Sequence, residues 1–216
     1  TDARDFTVDT TTPTVTITAG PSGVTADDTP TFTFTDTFTA SRDCQVDGGA
    51  FATCASPYTT AVLADGAHTL TVRVTGPAGA QASASRGFTV DTTTPTVTIT
   101  GGPSGFTGDS TPTFTFTDAF TSSRDCKVDA GAYAACTSPV TAAALADGAH
   151  TFTVRVTGPA GAQASASRNF TVDTTVPTVT ITAAPVEGST IAVANLTIGF
   201  TDTDAATREC KVDAGS

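Results

Sequence analysis

The feature that most limits what this chain can become is the run Phe-Thr-Val-Asp-Thr-Thr-Thr-Pro-Thr-Val-Thr-Ile-Thr, which fills residues 6–18 and recurs unchanged at 88–100. It returns at 170–182 with one substitution, Val176 where the earlier copies carry Thr12 and Thr94. The interval is 82 residues both times. A fixed period of that size marks a tandem array of similar units, and the run is its seam. Residues 10–91 and 92–173 are complete repeats, identical at 66 of 82 positions. Arg4, Phe6, Val8 and Asp9 stand where Arg86, Phe88, Val90 and Asp91 close a repeat, so residues 1–9 read as the last strand of a preceding one. Residues 174–216 read as part of a further repeat, and the chain as a window on a longer array.

The residues inside a repeat describe strands. Thr is the commonest residue and Met and Trp are absent. A β-branched residue at that frequency suits a pleated surface, and Gly and Pro between the runs supply turns. Val15 and Ile17 alternate with Thr14, Thr16 and Thr18. Phe32 and Phe34 alternate with Thr31, Thr33 and Thr35. Leu70, Val72 and Val74 alternate with Thr69, Thr71, Arg73 and Thr75. Period-2 alternation of this kind predicts half-buried strands. Further strands are expected at 44–46, 51–54 and 58–63, and a closing one carries Phe88 and Val90. Gly20-Pro21-Ser22-Gly23, Asp65-Gly66 and Gly76-Pro77-Ala78-Gly79 mark turns. The expectation is all-β: tandem seven-stranded, two-sheet sandwiches joined end to end by short Pro-containing linkers. No segment has helical periodicity.

Charge narrows the partners. The formal net charge is −11, and nucleic acid or an anionic membrane would need a basic face. No apolar run reaches the roughly 18 residues of a membrane-spanning helix.

The five cysteines occupy matched places: Cys44 with Cys54, Cys126 with Cys136, then Cys210, whose partner would fall beyond the last residue. A hairpin turn of three residues, 48–50, would set Cys44 opposite Cys54, about 4.5–5.5 Å apart, within reach of a disulfide. Positions 130–132 repeat the arrangement for Cys126 and Cys136. Metal ligation is the rival, but no Cys-x-x-Cys pair is present and each His stands alone. Structural disulfides are the expectation, and they place the chain in an oxidising, extracellular compartment.

The runs Asp-Thr-Thr-x-Pro-Thr-Val-Thr-Ile, Thr-Pro-Thr-Phe-Thr-Phe, Cys-x-Val-Asp-x-Gly-Ala-[Phe/Tyr] and Leu-Ala-Asp-Gly-Ala-His-Thr-[Leu/Phe]-Thr-Val-Arg-Val together resemble bacterial Ig-like tandem repeats. The resemblance covers the whole chain. It implies the Ig-like sandwich, and a place in the shaft of a large secreted or surface-attached bacterial protein, often an adhesin. It also raises calcium, which related repeats hold near the seam with a linker Asp and an Asp-x-x-Gly-Asn loop. The linker aspartates are present as Asp9, Asp91 and Asp173. The loop reads Gly76-Pro77-Ala78-Gly79-Ala80 and Gly158-Pro159-Ala160-Gly161-Ala162, without the carboxylate and amide that calcium needs among its six to eight oxygens. The bland reading is that the linker aspartates cap the strand exit.

Three further residue sets bear on chemistry. His68 and His150 lie three residues after Asp65 and Asp147, but hydrolysis also needs an activated nucleophile and an oxyanion site, and no Gly-x-Ser-x-Gly occurs. No catalytic residue is expected, and the turn reading of Asp-Gly stands beside that of an Asp–His pair. Arg42, Arg73, Arg86 and their equivalents are expected as surface ion pairs. Asn169-Phe170-Thr171 and Asn195-Leu196-Thr197 are sequons for N-linked sugar. The expected function is a non-enzymatic, disulfide-stapled shaft, or repeats assembling with identical chains into a filament or sheath. The alternative is an adhesin module in which each repeat itself binds a glycan or host protein.

Overall fold

A computed structural model of the protein describes residues 4–5, 7–192 and 195–211. Phe6, Val212 and Asp213, on which the outer seam and the last turn were read, lie outside the described residues. The first repeat runs β1 (Thr14–Ala19), β2 (Val24–Thr25), β3 (Thr31–Thr37), β4 (Ser41–Val46), β5 (Ala52–Thr53), β6 (Tyr58–Thr59), β7 (Gly66–Thr75) and β8 (Gln81–Val90). One sheet has the order β1-β3-β6 and the other β2-β8-β7-β4-β5. Their inner faces enclose Ile17, Phe32, Phe34, Cys44, Leu70, Val72, Phe88 and Val90. This is the all-β Ig-like sandwich.

Alternation explains the core directly. In β3, Phe32 and Phe34 are buried while Thr31 and Thr35 are exposed, because successive side chains leave a strand on opposite faces. Each fully buried Phe, Leu or Val contributes about 1.5–3 kcal/mol. The outward threonines pair across strands, Thr14 with Thr37 at 2.7 Å and Thr31 with Thr59 at 2.8 Å. Gly20 ends β1 with φ +120°, and a Cβ there would run into the Phe32 ring.

Within the strands and turns of the first repeat, the structure departs from the sequence reading in three places. The repeat has eight strands, not seven: β2 is a two-residue strand parallel to β8, Val24 opposite Thr89 and Thr25 opposite Val90. Two residues are too few for alternation to reveal. The strand expected at 58–63 shortens to β6. The hairpin turn uses two residues, Asp47 and Gly48, both at positive φ, closed by the Gly49 N–H to the Val46 carbonyl at 3.0 Å. That is the turn type that an Asp-Gly pair favours in a right-twisted hairpin. With one extra residue on the returning arm, Cys44 faces Ala52 rather than Cys54.

The second repeat repeats the order as β9 (Thr96–Gly101), β10 (Phe106–Thr107), β11 (Thr113–Ala119), β12 (Ser123–Val128), β13 (Ala134–Ala135), β14 (Val140–Thr141), β15 (Gly148–Thr157) and β16 (Gln163–Val172). Phe152 replaces Leu70 and stacks on Phe114, ring centroids 4.2 Å apart. In the third repeat, β17 (Thr178–Ala183) pairs with β18 (Gly199–Thr203), Ile181 opposite Phe200, the register of Ile17 and Phe34. Its apolar side chains, Val179 and Ile181 among them, lie open. Residues 4, 5 and 7–9 are not in a strand; the closing strand of a repeat needs the preceding strand beside it.

Candidate functional site

The seam is built from a loop and a linker. After β8, the connection to the next repeat is 91–95. Pro95 is fully buried, and a Cβ on Gly158 would sit 3.4 Å from its Cδ, so this proline belongs to the second repeat's packing. Asp65, in the loop before β7, takes hold of what is left. Its Oδ1 accepts the Thr92 N–H at 2.9 Å and the Thr92 hydroxyl at 2.8 Å; its Oδ2 accepts the Thr93 hydroxyl at 3.3 Å. Asp91 accepts the Thr93 N–H at 3.1 Å. The next seam repeats this: Asp147 binds Thr174 twice and Thr175 once, and Asp173 accepts the Thr175 N–H. Asp9 accepts the Thr11 N–H at 2.9 Å. The N–H and hydroxyl of Thr92 and the hydroxyl of Thr93 hold the Asp65 carboxyl below its ordinary value, and Thr174 and Thr175 do the same for Asp147.

These bonds bear on calcium. The linker carboxylates accept from threonine N–H groups two residues on, which is the capping role. A calcium site needs six to eight oxygens, and the loop 76–80 beside Pro13 brings no carboxylate. Among the described residues no group of three or more His, Cys, Asp or Glu is placed to hold a metal ion. The residues present do not fit such a site.

The histidines sit one step behind the seam, with a different partner from the one their spacing suggested. His68 Nδ1 lies 2.6 Å from Asp47 Oδ2, and Nε2 lies 2.8 Å from the Ala64 carbonyl. Asp47 Oδ1 accepts the Thr69 N–H. His150, Asp129, Ala146 and Thr151 repeat the set. An acceptor at each nitrogen favours the protonated ring. The Asp47 carboxylate, then the Ala64 carbonyl, raise the His68 pKa above its ordinary 6.5. Both ring nitrogens are committed, so neither is free to take a proton from a nucleophile. Burial pushes Asp47 up, but the bonds from His68 and Thr69 outweigh it and leave the carboxyl lowered. Asp65 serves the linker instead, a role with no local signal because Thr92 is 27 residues away.

The remaining predicted residues fall as follows. Cys44 is bonded to Cys54 and Cys126 to Cys136, each with Cα atoms 5.7 Å apart. These are diagonal pairs across the hairpin, since the Cys54 N–H bonds the Arg42 carbonyl. Cys210 is an exposed free thiol. Arg42 forms a two-pronged pair with Asp36, and Arg73 pairs with Asp43 while lying 3.8 Å over the Phe51 ring. Arg86 is not a surface ion pair. Its guanidinium crosses the sandwich edge to the carbonyls of Ile17 at 2.9 Å and Gly20 at 3.0 Å. Asn169 is exposed and accepts the Thr151 hydroxyl; Asn195 is also exposed.

A family model for the bacterial Ig-like domain matches residues 96–174. That match spans nearly all of the second repeat, which is similar to this family, and the first repeat is identical to the second at 66 of 82 positions. Among solved structures, the fibronectin(III)-like modules of Clostridium thermocellum CbhA are similar over 74% of this chain and 94% of theirs, at 20% identity and a TM-score of 0.49. A tetra-tandem repeat in the extending region of a large adhesion protein is similar over 90% of this chain and 57% of that one, at 23% identity and a TM-score of 0.37. SGBP-B of Bacteroides ovatus, solved with a mixed-linkage heptasaccharide, is similar over 88% and 61%, at 11% identity and a TM-score of 0.32. Curated protein sequences give no match. Among the described residues no helix is long and apolar enough to cross a membrane.

Proposed function

We propose that the chain is a stretch of a non-enzymatic shaft, serial Ig-like domains that extend an extracellular bacterial surface protein. The observation that carries this reading is the linker clamp. Of the residues joining two domains, the proline packs into the following domain, and the two threonines after the linker aspartate are bonded back to the preceding one. Little free chain is left between them. Pro also pushes the residue before it toward an extended shape. A joint of that kind resists bending, as a shaft requires. Two disulfides support an oxidising, extracellular setting. The net charge of −11 keeps neighbouring domains mutually repelling.

The test is small-angle X-ray scattering of the chain and of the Asp65→Ala, Asp147→Ala variant. The parent should scatter as an extended rod. The variant should show a shorter mean length and a broader distance distribution, with each domain's thermal unfolding little changed. Superimposable scattering curves would remove the clamp as the source of stiffness, and a compact parent would remove the shaft.

A further inference from the structure

The strand β8 is ten residues long and pairs with β7 throughout. On its other side only Thr89 and Val90 have a strand beside them, the short β2. The Thr89 N–H bonds the Gly23 carbonyl and the Asp91 N–H the Thr25 carbonyl, so odd-numbered residues turn their amides to that edge. Ser83, Ser85 and Gly87 therefore present N–H and C=O groups to a side where, among the described residues, no strand lies. In the second domain Ser165, Ser167 and Asn169 of β16 do the same.

Natural sheets blunt such edges with Lys, Pro, a bulge or a projecting charge. The run Gln-Ala-Ser-Ala-Ser-Arg, identical at 81–86 and 163–168, has none of these on offer. Its one charge, Arg86, is drawn inward onto the Ile17 and Gly20 carbonyls. Ala82 and Ala84 face the core side yet stay only half-buried. The charge distribution is equally uneven. The chain carries −11 overall, yet residues 66–90 and 148–172 hold no Asp or Glu, and each hairpin brings two Arg. These hairpins are where two like-charged copies meet the least repulsion.

We propose that the open edges of β8 and β16 are docking sites for a second copy of this chain, which adds its own β8 or β16 antiparallel. Two five-stranded sheets then continue as one across the pair. Backbone bonds supply the affinity, and small side chains meet small side chains in this self-complementary run. This pairing goes beyond the shaft and does not depend on whether the seams are stiff.

Sedimentation velocity over a concentration series tests it, with Cys210→Ser in every chain so that the free thiol cannot link copies. The parent should dimerise reversibly. Ser85→Pro with Ser167→Pro removes an outward N–H from each edge, a place where an edge strand tolerates proline, together with the hydroxyls that bond Thr71 and Thr153. It should weaken dimerisation at least about tenfold. Ser83→Glu with Ser165→Glu puts charge on the acid-free strip without altering the backbone. It should weaken dimerisation similarly, with partial recovery in high salt, and it decides the matter if the proline variant fails to fold. A parent that stays monomeric throughout, including one that takes up an extended peptide instead, overturns the proposal. So does a dimer that persists undiminished in the glutamate variant.

Discussion

At the scale of single residues, the two near-identical domains act as a mutational comparison. Thr60 is 5% exposed, and while its N–H bonds the Pro30 carbonyl, its hydroxyl finds no partner among the described residues. The second domain has Ala142 at that position. A buried hydroxyl without a partner carries its desolvation cost uncompensated. Thr60→Val keeps the volume and removes the hydroxyl, so the first domain should gain about 1 kcal/mol in urea unfolding. A loss of stability would mean that the hydroxyl has a partner. The alternating Thr made the outward and inward faces legible residue by residue. The strain at Thr60 was not legible, because it depends on what the third dimension brings beside one oxygen.

At the scale of the element, the disulfide hairpin shows where spacing alone stops. A separation of ten between cysteines and a central Asp-Gly marked a stapled hairpin, but not its register. Register follows from the turn and from one extra residue on the returning arm: Val46 and Gly49 close the turn, yet Cys44 lies opposite Ala52 rather than Phe51. Cys54 then reaches Cys44 diagonally, with Cα atoms 5.7 Å apart. The crosslink restrains the unfolded chain more than it shapes the folded one. Cys44→Ser with Cys54→Ser should lower the first domain's stability by about 2–4 kcal/mol, leaving the second domain's transition in place in calorimetry. Loss of both transitions would show that the domains do not unfold separately.

At the scale of the whole molecule, pH acts through the same set of bonds in each domain. His68 and His150 are raised above 6.5 by Asp47 and Asp129 and by a carbonyl each. A raised folded-state value contributes stability that is complete below the unfolded pKa and is lost as pH climbs through the folded one. Asp65, Asp147, Asp47 and Asp129 are lowered from 3.8. Their contribution is complete above that value and is lost as pH falls through the folded one. Stability should therefore peak in mildly acidic solution and decline as pH rises above 6.5 through the raised folded-state values of the two histidines. In His68→Gln with His150→Gln the alkaline decline should flatten, as read by thermal unfolding across that range. An unchanged decline would assign it to other groups.

The sequence by itself determined the period, the all-β class, the inward residues of the long strands and the cysteine pairs. Each of those is written in short-range order: alternation every second residue, turn residues at fixed places, and an 82-residue identity. Only the tertiary structure decided that Asp47 rather than Asp65 meets His68, that Asp65 grips the linker 27 residues on, and that Arg86 closes the sandwich edge. Those contacts join residues far apart in the chain, and a hydrogen bond depends on separation in space, which the order of residues does not state.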